Sequence, residues 1–404
     1  MKVEERLLKY VSCWTTSEES KEQIPSNDRE FVLAKMLETE LRELGLTQVI
    51  LTDHCYVYAL LPATPGRETD RAVGFISHMD TSPDYSGENV KPQIIPDYDG
   101  GDILLNGANI YLKVSDFPSL ASLKGRTLIT TDGTTLLGAD DKAGIAEIMT
   151  ALEELIAGKT PHGDIWIGFT PDEEVGRGAD LFDLNYFKAD YAYTVDGGYE
   201  GEIAYENFNA ATAIFTIHGV NVHPGEAKDI MVNALLVGCD IVSQLPALET
   251  PAHTAGREGF FHLTDMSGDV SSAALSLLVR DHDPHHFESR LNLLRTIEVE
   301  INQKYGAGTA KLEINYSYEN MLSVIEEHMY VVDLAKQAIS SIGLQPVSHP
   351  IRGGTDGGRL SFMGLPCPNL GTGGYAFHGP YEHISVEGME TAVRIIRQIM
   401  ASNT

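Results

Sequence analysis

Five short segments of this 404-residue chain carry metal-competent side chains, and each stands beside an apolar run or a glycine-rich turn. His78-Met79-Asp80 follows Val73-Gly74-Phe75-Ile76, and Asp140-Asp141 precedes an apolar helical pattern. Glu173-Glu174 follows Trp166-Ile167-Gly168-Phe169, Asp196 follows Tyr193-Thr194-Val195, and His378 follows Gly373-Gly374. Imidazole nitrogen and carboxylate oxygen both bind Zn²⁺ well. Two metals about 3.5–4 Å apart can share a bridging carboxylate and clamp a water whose pKa they lower. A further carboxylate, not itself a ligand, must accept the proton of that water. The set supplies two histidines, one bridge, two more carboxylate ligands and one base. Adjacent Glu173 and Glu174 would divide the work, one on metal and one on water. Asp80, two residues after His78, is placed to hydrogen-bond the second imidazole nitrogen and fix its tautomer. Each segment alone is ordinary: an acid pair is usually a solvated helix start, and Asp196 could cap a turn. Their order and context together carry the reading.

The elements that must position them alternate between strand and helix. Ala72–Ser77, Ile165–Thr170 and Tyr191–Val195 read as buried strands. Asp28 is placed to cap a helix whose Val32, Met36, Leu37, Leu41 and Leu44 recur at helical spacing, with Gly45 ending it. Ile145, Ile148, Met149, Leu152, Leu155 and Ile156 mark an amphipathic helix between two of the strands. The expectation is an α/β fold with a mixed, largely parallel sheet flanked by helices. In such sheets ligands bind beyond the carboxyl ends of the strands, where all five segments could converge. Near Phe208 the pattern changes. Ala211–Gly219, Met231–Gln244, Phe260–Met266, Ala273–Arg280, His285–Lys304 and Lys311–Tyr318 read in the order β-α-β-β-α-β, a ferredoxin-like arrangement. The expected organisation is a catalytic domain over 1–207 and 321–404, interrupted by an inserted lid or dimerisation domain over 208–320.

Composition narrows the function. A formal net charge of −29 argues against nucleic acid and against anionic membrane surfaces. Hydrophobic residues at 43% and charged residues at 22% are those of a folded globular protein. The four cysteines, Cys13, Cys55, Cys239 and Cys367, form no C-x-x-C pair, which suits a reducing compartment. The acid-bearing start Met1-Lys2-Val3-Glu4-Glu5-Arg6 lacks a secretory h-region. A cytoplasmic location is expected.

Longer motifs add a resemblance. Ser77-His78-Met79-Asp80-Thr81, Gly138-Ala139-Asp140-Asp141-Lys142-Ala143-Gly144, Pro171-Asp172-Glu173-Glu174-Val175-Gly176 and Val195-Asp196-Gly197-Gly198 resemble the di-zinc exopeptidase family, which includes glutamate carboxypeptidases and aminoacylases. Thr130–Gly138, Arg352–Arg359 and Gly371–Gly379 resemble its tripeptide-aminopeptidase branch. The resemblance implies two zinc ions per chain and release of the N-terminal residue from tripeptides. By position it implies that His78 and Asp196 bind one zinc, Glu174 and His378 the other, and that Asp140 bridges, with the peptide bond after it often cis. Glu173 would be general base and then acid, and Asp80 would orient His78. His223, in His223-Pro224-Gly225, would help hold the scissile carbonyl. Arg280, Asn233 and Arg352 would contact the substrate backbone or carboxylate. From the residues alone, Arg280 could instead pair with Asp281 or Asp283. The expected partners are small peptides, with a homodimer through the inserted domain possible in such enzymes. Rival readings are a dipeptidase, carboxypeptidase or N-acyl amino acid deacylase on the same scaffold, or a non-catalytic binding protein. A serine hydrolase is disfavoured because no G-x-S-x-G elbow occurs.

Overall fold

The computed structural model describes residues 1–402. The chain divides into two compact units. The first comprises 1–205, 323–349 and 355 onward; the second comprises 206–322 with 350–354.

The first unit is built on a seven-stranded sheet ordered Thr47–Leu51, Val57–Leu61, Ile165–Thr170, Val73–His78, Tyr191–Val195, Asn369–Leu370 and Ile203–Ala204. The four strands from Ile165–Thr170 to Asn369–Leu370 run parallel, and the flanking strands pair antiparallel. Every residue of Val73–His78, Ile165–Thr170 and Tyr191–Val195 is buried. That explains their unbroken apolar and aromatic runs, because a central parallel strand is covered on both faces. Burying a side chain such as Phe75 or Ile76 contributes about 1.5–3 kcal/mol.

The helix Ala139–Ala157 packs on strands Val73–His78 and Tyr191–Val195 and is itself covered by the helices Val3–Val11 and Val386–Ser402. Its burial corrects the amphipathic expectation. From Asp141 to Leu152 every side chain is buried, while Ile156 is only partly so. The opposite face of the sheet holds Tyr56, Tyr58, Trp166, Phe182, Phe187, Leu360 and Leu365.

The helix expected after Asp28 runs over Glu30–Glu43, with Arg29 at the cap position and no side-chain cap. Its buried face is Leu33, Ala34, Leu37 and Leu41, and Val32 is exposed. Gly45 ends it as expected, at φ +87 with its N–H on the Arg42 carbonyl. A second sheet of short strands, Gly374–Tyr375, His383–Ser385, Leu128–Thr130 and Gln93–Ile95, joins the C-terminal part of the unit to the segment before Ala139.

The second unit holds a four-stranded antiparallel sheet ordered Phe260–Gly268, Ser272–Asp281, Asn209–His218 and Ala310–Tyr318. Helices Ala234–Ser243 and Pro284–Tyr305 bury Val237, Ile241, Leu291, Leu294 and Ile301 against Phe215, Ile217, Leu275 and Leu277. Chain order and strand order are those of a ferredoxin-like fold. Burial alternates along Ser272–Asp281, so one face packs on the helices.

Candidate metal centre

His78 is the last residue of its strand, and Asp196 and Glu173-Glu174 follow the carboxyl ends of the two neighbouring strands. The parallel order therefore delivers three segments to one edge, while Asp140 starts the helix that packs beneath. His378 arrives on the loop between Gly374–Tyr375 and His383–Ser385, at φ +63.

The structure brings four side chains, those of His78, Glu174, Asp196 and His378, together around Asp140. Asp140 Oδ1 lies 3.0 Å from His78 Nε2, and Asp140 Oδ2 lies 3.3 Å from His378 Nε2. The two oxygens of one carboxylate thus face different imidazoles. Asp196 Oδ1 is 3.9 Å from His78 Nε2, and Glu174 Oε2 is 3.0 Å from His378 Nε2. Among the described residues, the donor atoms of His78, Asp140 and Glu174 lie within 4.8 Å of one another, as do those of His78, Asp141 and Asp196. The peptide bond between Asp140 and Asp141 is cis.

Asp80 is fully buried and does more than the sequence suggested. Its Oδ1 is 3.3 Å from His78 Nδ1, which also lies 3.0 Å from the Asp80 carbonyl. The same carboxylate accepts the backbone N–H groups of Glu173 at 3.0 Å and Glu174 at 3.1 Å. It thus fixes the turn that presents both glutamates.

The electrostatics are those of a site short of positive charge. Hydrogen bonds to Asp140 and Glu174 push the His378 pKa up to about 11. Burial opposes the charged form of His78, yet its bonds to Asp140 and Asp80 hold its pKa well above the ordinary value. Burial and the charge of Asp140 raise Asp196 to about 8 and Glu174 to about 7. Burial likewise raises Glu173 well above the usual range; His78 opposes this, and Asp196, Asp356 and Glu174 reinforce it. Asp140 is held below the usual range by the two imidazoles, against the effect of its burial.

The residues fit a pair of divalent cations. Glu174 Oε1 and Asp141 Oδ1 are buried with no hydrogen-bond partner, and the ion pairs of Asp140, Glu174 and Asp196 run to the two histidines. Protons on the imidazoles compensate the carboxylates where cations would do so better. The mixed nitrogen and oxygen donor set suits zinc.

Three acids near the ligands were given no role from the sequence. Asp141 Oδ2 accepts the backbone N–H of His78 at 3.2 Å. Asp84 Oδ2 is 3.4 Å from His378 Nδ1. Glu382 accepts the backbone N–H groups of Leu137, Gly138 and Asp140. The only sequence signal for Glu382 is its place four residues after His378.

The other predicted residues lie in the second unit. His223 is exposed, and its Nδ1 accepts the Gly225 N–H at 3.2 Å. Asn233 caps the helix Ala234–Ser243, its Oδ1 accepting from Leu235 at 3.0 Å and Leu236 at 3.4 Å. Arg352 donates to the carbonyls of Gly256 at 2.7 Å and Glu258 at 3.0 Å and to Thr254 Oγ1 at 2.9 Å. Arg280 sits over the Tyr318 ring, 5.6 Å from its centroid, and its Nε is buried without a hydrogen-bond partner. The surface pairs open to Arg280 are otherwise engaged: Asp281 pairs with Arg290, and Asp283 caps the helix Pro284–Tyr305.

The family model of peptidase family M20/M25/M40 matches residues 132–402. The chain belongs to that family and is a metallo-aminopeptidase, a hydrolase of peptide bonds. Two relatives named Peptidase T narrow the kinship. Those of Caldanaerobacter subterraneus subsp. tengcongensis and Halothermothrix orenii are each 52% identical over 401 residues, covering 99% of this chain and 98% of theirs. Among solved structures, aminopeptidase PepT from Bacillus cereus is 25% identical with a TM-score of 0.78, covering 99% of this chain and 97% of that one. A tripeptidase from Staphylococcus aureus, 21% identical, shares the fold with a TM-score of 0.80 over the same fractions.

Proposed function

We propose that the chain is a cytoplasmic tripeptide aminopeptidase that holds two zinc ions and releases the N-terminal residue of short peptides. The observation that carries the reading is Asp140, whose two oxygens address the separate histidines His78 and His378. His78 and Asp196 would hold one ion, Glu174 and His378 the other, with Asp140 the ligand shared by both. When bound, the ions act as Lewis acids and lower the pKa of a water shared between them.

The remaining work falls to the chain. Glu173 accepts a proton from the attacking water and passes it to the leaving amine. Burial raises its pKa above the usual carboxylate range, the direction that a base later serving as acid requires. Asp80 keeps it in place through its backbone N–H. His223 uses Nδ1 as an acceptor, so Nε2 carries the proton and can donate to the carbonyl oxygen as it gains charge. Arg280, with donor capacity left over, grips the substrate's carboxylate, and that grip selects for length. Asn233 and Arg352 complete the substrate contacts in this proposal, although each also fastens neighbouring backbone.

The test is a panel of tripeptides with free, N-acetylated and C-amidated ends, assayed with and without chelator. The free tripeptide should be cleaved after its first residue, and the acetylated one should resist. Equal cleavage of the acetylated peptide would point to a deacylase or carboxypeptidase on the same scaffold. Hydrolysis unaffected by chelator would remove the metals from the reading.

A further inference from the structure

The bridging role of Asp140 demands a fixed backbone, and its immediate backbone is irregular. Gly138 stands at φ +78, and Asp140 and Asp141 are non-helical at φ −83, ψ 104 and φ −119, ψ 31. The N–H groups of Leu137, Gly138 and Asp140 therefore point where no helical carbonyl can take them. One buried side chain takes all three. Glu382 Oε2 accepts from Leu137 at 2.7 Å and Gly138 at 2.8 Å, and Oε1 accepts from Asp140 at 3.0 Å. Glu382 is 1% exposed, so water cannot replace it in this task.

We infer that Glu382 is the positioning residue of the metal pair, a carboxylate clamp that sets where the Asp140 side chain stands between the two histidines. Glu382 lies four residues after His378, on the loop between strands Gly374–Tyr375 and His383–Ser385. One short segment thus supplies a ligand for one ion and holds the ligand common to both. The same loop sets His378 Nε2 at 3.3 Å from Asp140 Oδ2. The inference rests on the reading of Asp140 as bridge.

The experiment uses the full-length protein stripped of metal and reloaded with zinc. Wild type should take two ions per chain; a stoichiometry of one would sink the bridging reading itself, and the clamp with it. Given two ions, Glu382→Gln should bind zinc at least about tenfold more weakly in chelator competition, as loss of an outer-shell partner typically does. Its kcat should fall by a similar factor with KM little changed, and Glu382→Asp should recover part of both. Wild-type zinc affinity and kcat in Glu382→Gln, whatever its melting temperature, would overturn the clamp while leaving the bridge intact. If that variant does not fold, amide hydrogen exchange on metal-free wild type decides. Protection at Leu137, Gly138 and Asp140 is expected before any zinc is added, and exchange at unprotected rates there would overturn the inference.

Discussion

Consider loading zinc into the metal-free protein as the pH is lowered from 7.5 to 6.5. Without metal, the His378 pKa stands at about 11, so its imidazole carries a proton throughout this range, and bonds to Asp140 and Asp80 bias His78 the same way against the effect of its burial. Asp196 at about 8 and Glu174 at about 7 are partly protonated within it. A metal binds only the deprotonated forms, so loading must expel these protons. Counting one proton on each imidazole, the total comes to about three per chain at pH 7.5 and rises towards about four in mild acid. The sign is fixed by the raised pKa values: below them protons compete with zinc, so affinity falls as pH falls. Three protons over one pH unit weaken overall binding of the pair about a thousandfold, or about 4 kcal/mol. Calorimetry in two buffers with different ionisation enthalpies measures the proton count directly. Equal heats in both buffers, or an overall affinity that changes less than tenfold over that unit, would refute the reasoning.

Other perturbations address the base and the packing. Glu173→Ala should retain both ions by metal analysis and lose turnover by about 10²–10⁴-fold; lost metal with surviving turnover would swap the roles of Glu173 and Glu174. Gly144→Ala would place a Cβ 1.9 Å from the Val195 carbonyl oxygen and 2.5 Å from Asp141 Oδ1, prising the helix Ala139–Ala157 off the neighbouring strand. Overpacking of that kind costs about 1–3 kcal/mol, seen as a lower urea midpoint; an unchanged midpoint would contradict the close approach.

How much of this was legible in the sequence depended on element length and on how many faces an element buries. Val73–His78, Ile165–Thr170 and Tyr191–Val195 were readable to within a residue because a strand covered on both faces is apolar along most of its length. Ser272–Asp281 was readable for the opposite reason, since its single buried face imposes alternation. The segment 79–138 gave no signal of its secondary structure. Its strands Gln93–Ile95, Ile103–Leu105, Ile110–Leu112 and Leu128–Thr130 are three residues long, too short to show a period. The helix Ala139–Ala157 misled because a stripe was visible where almost the whole circumference is buried. Asp28 lost the cap position because the helix begins one residue later, after Arg29.

The candidate site divides along a different line. Side chains that would touch a cation advertise themselves, since few residue types can do so and they stand at strand ends. Asp80 and Glu382 belong to another class, and their principal partners are backbone N–H groups that no sequence pattern displays. Between them they accept from Glu173, Glu174 and Asp140, which carry the proposed base, one proposed ligand and the proposed bridge, and from Leu137 and Gly138 just before the last. Ligands set on irregular loops leave such donors without helix or sheet partners, and a buried donor must be satisfied. A neutral acceptor would meet that need. A carboxylate meets it with a stronger, charge-assisted bond and adds negative potential beneath the ligands. The acids in excess of the ligand count therefore do two things at once. They hold the loops rigid before any cation arrives, and they deepen the electrostatic well into which cations fall. Glu382 shows the cost of this arrangement without metal: despite three N–H donors, burial and the nearby Asp140 charge raise its pKa to about 7. A cation pair at Asp140 would oppose that rise, so metal binding and an ionised Glu382 would favour one another.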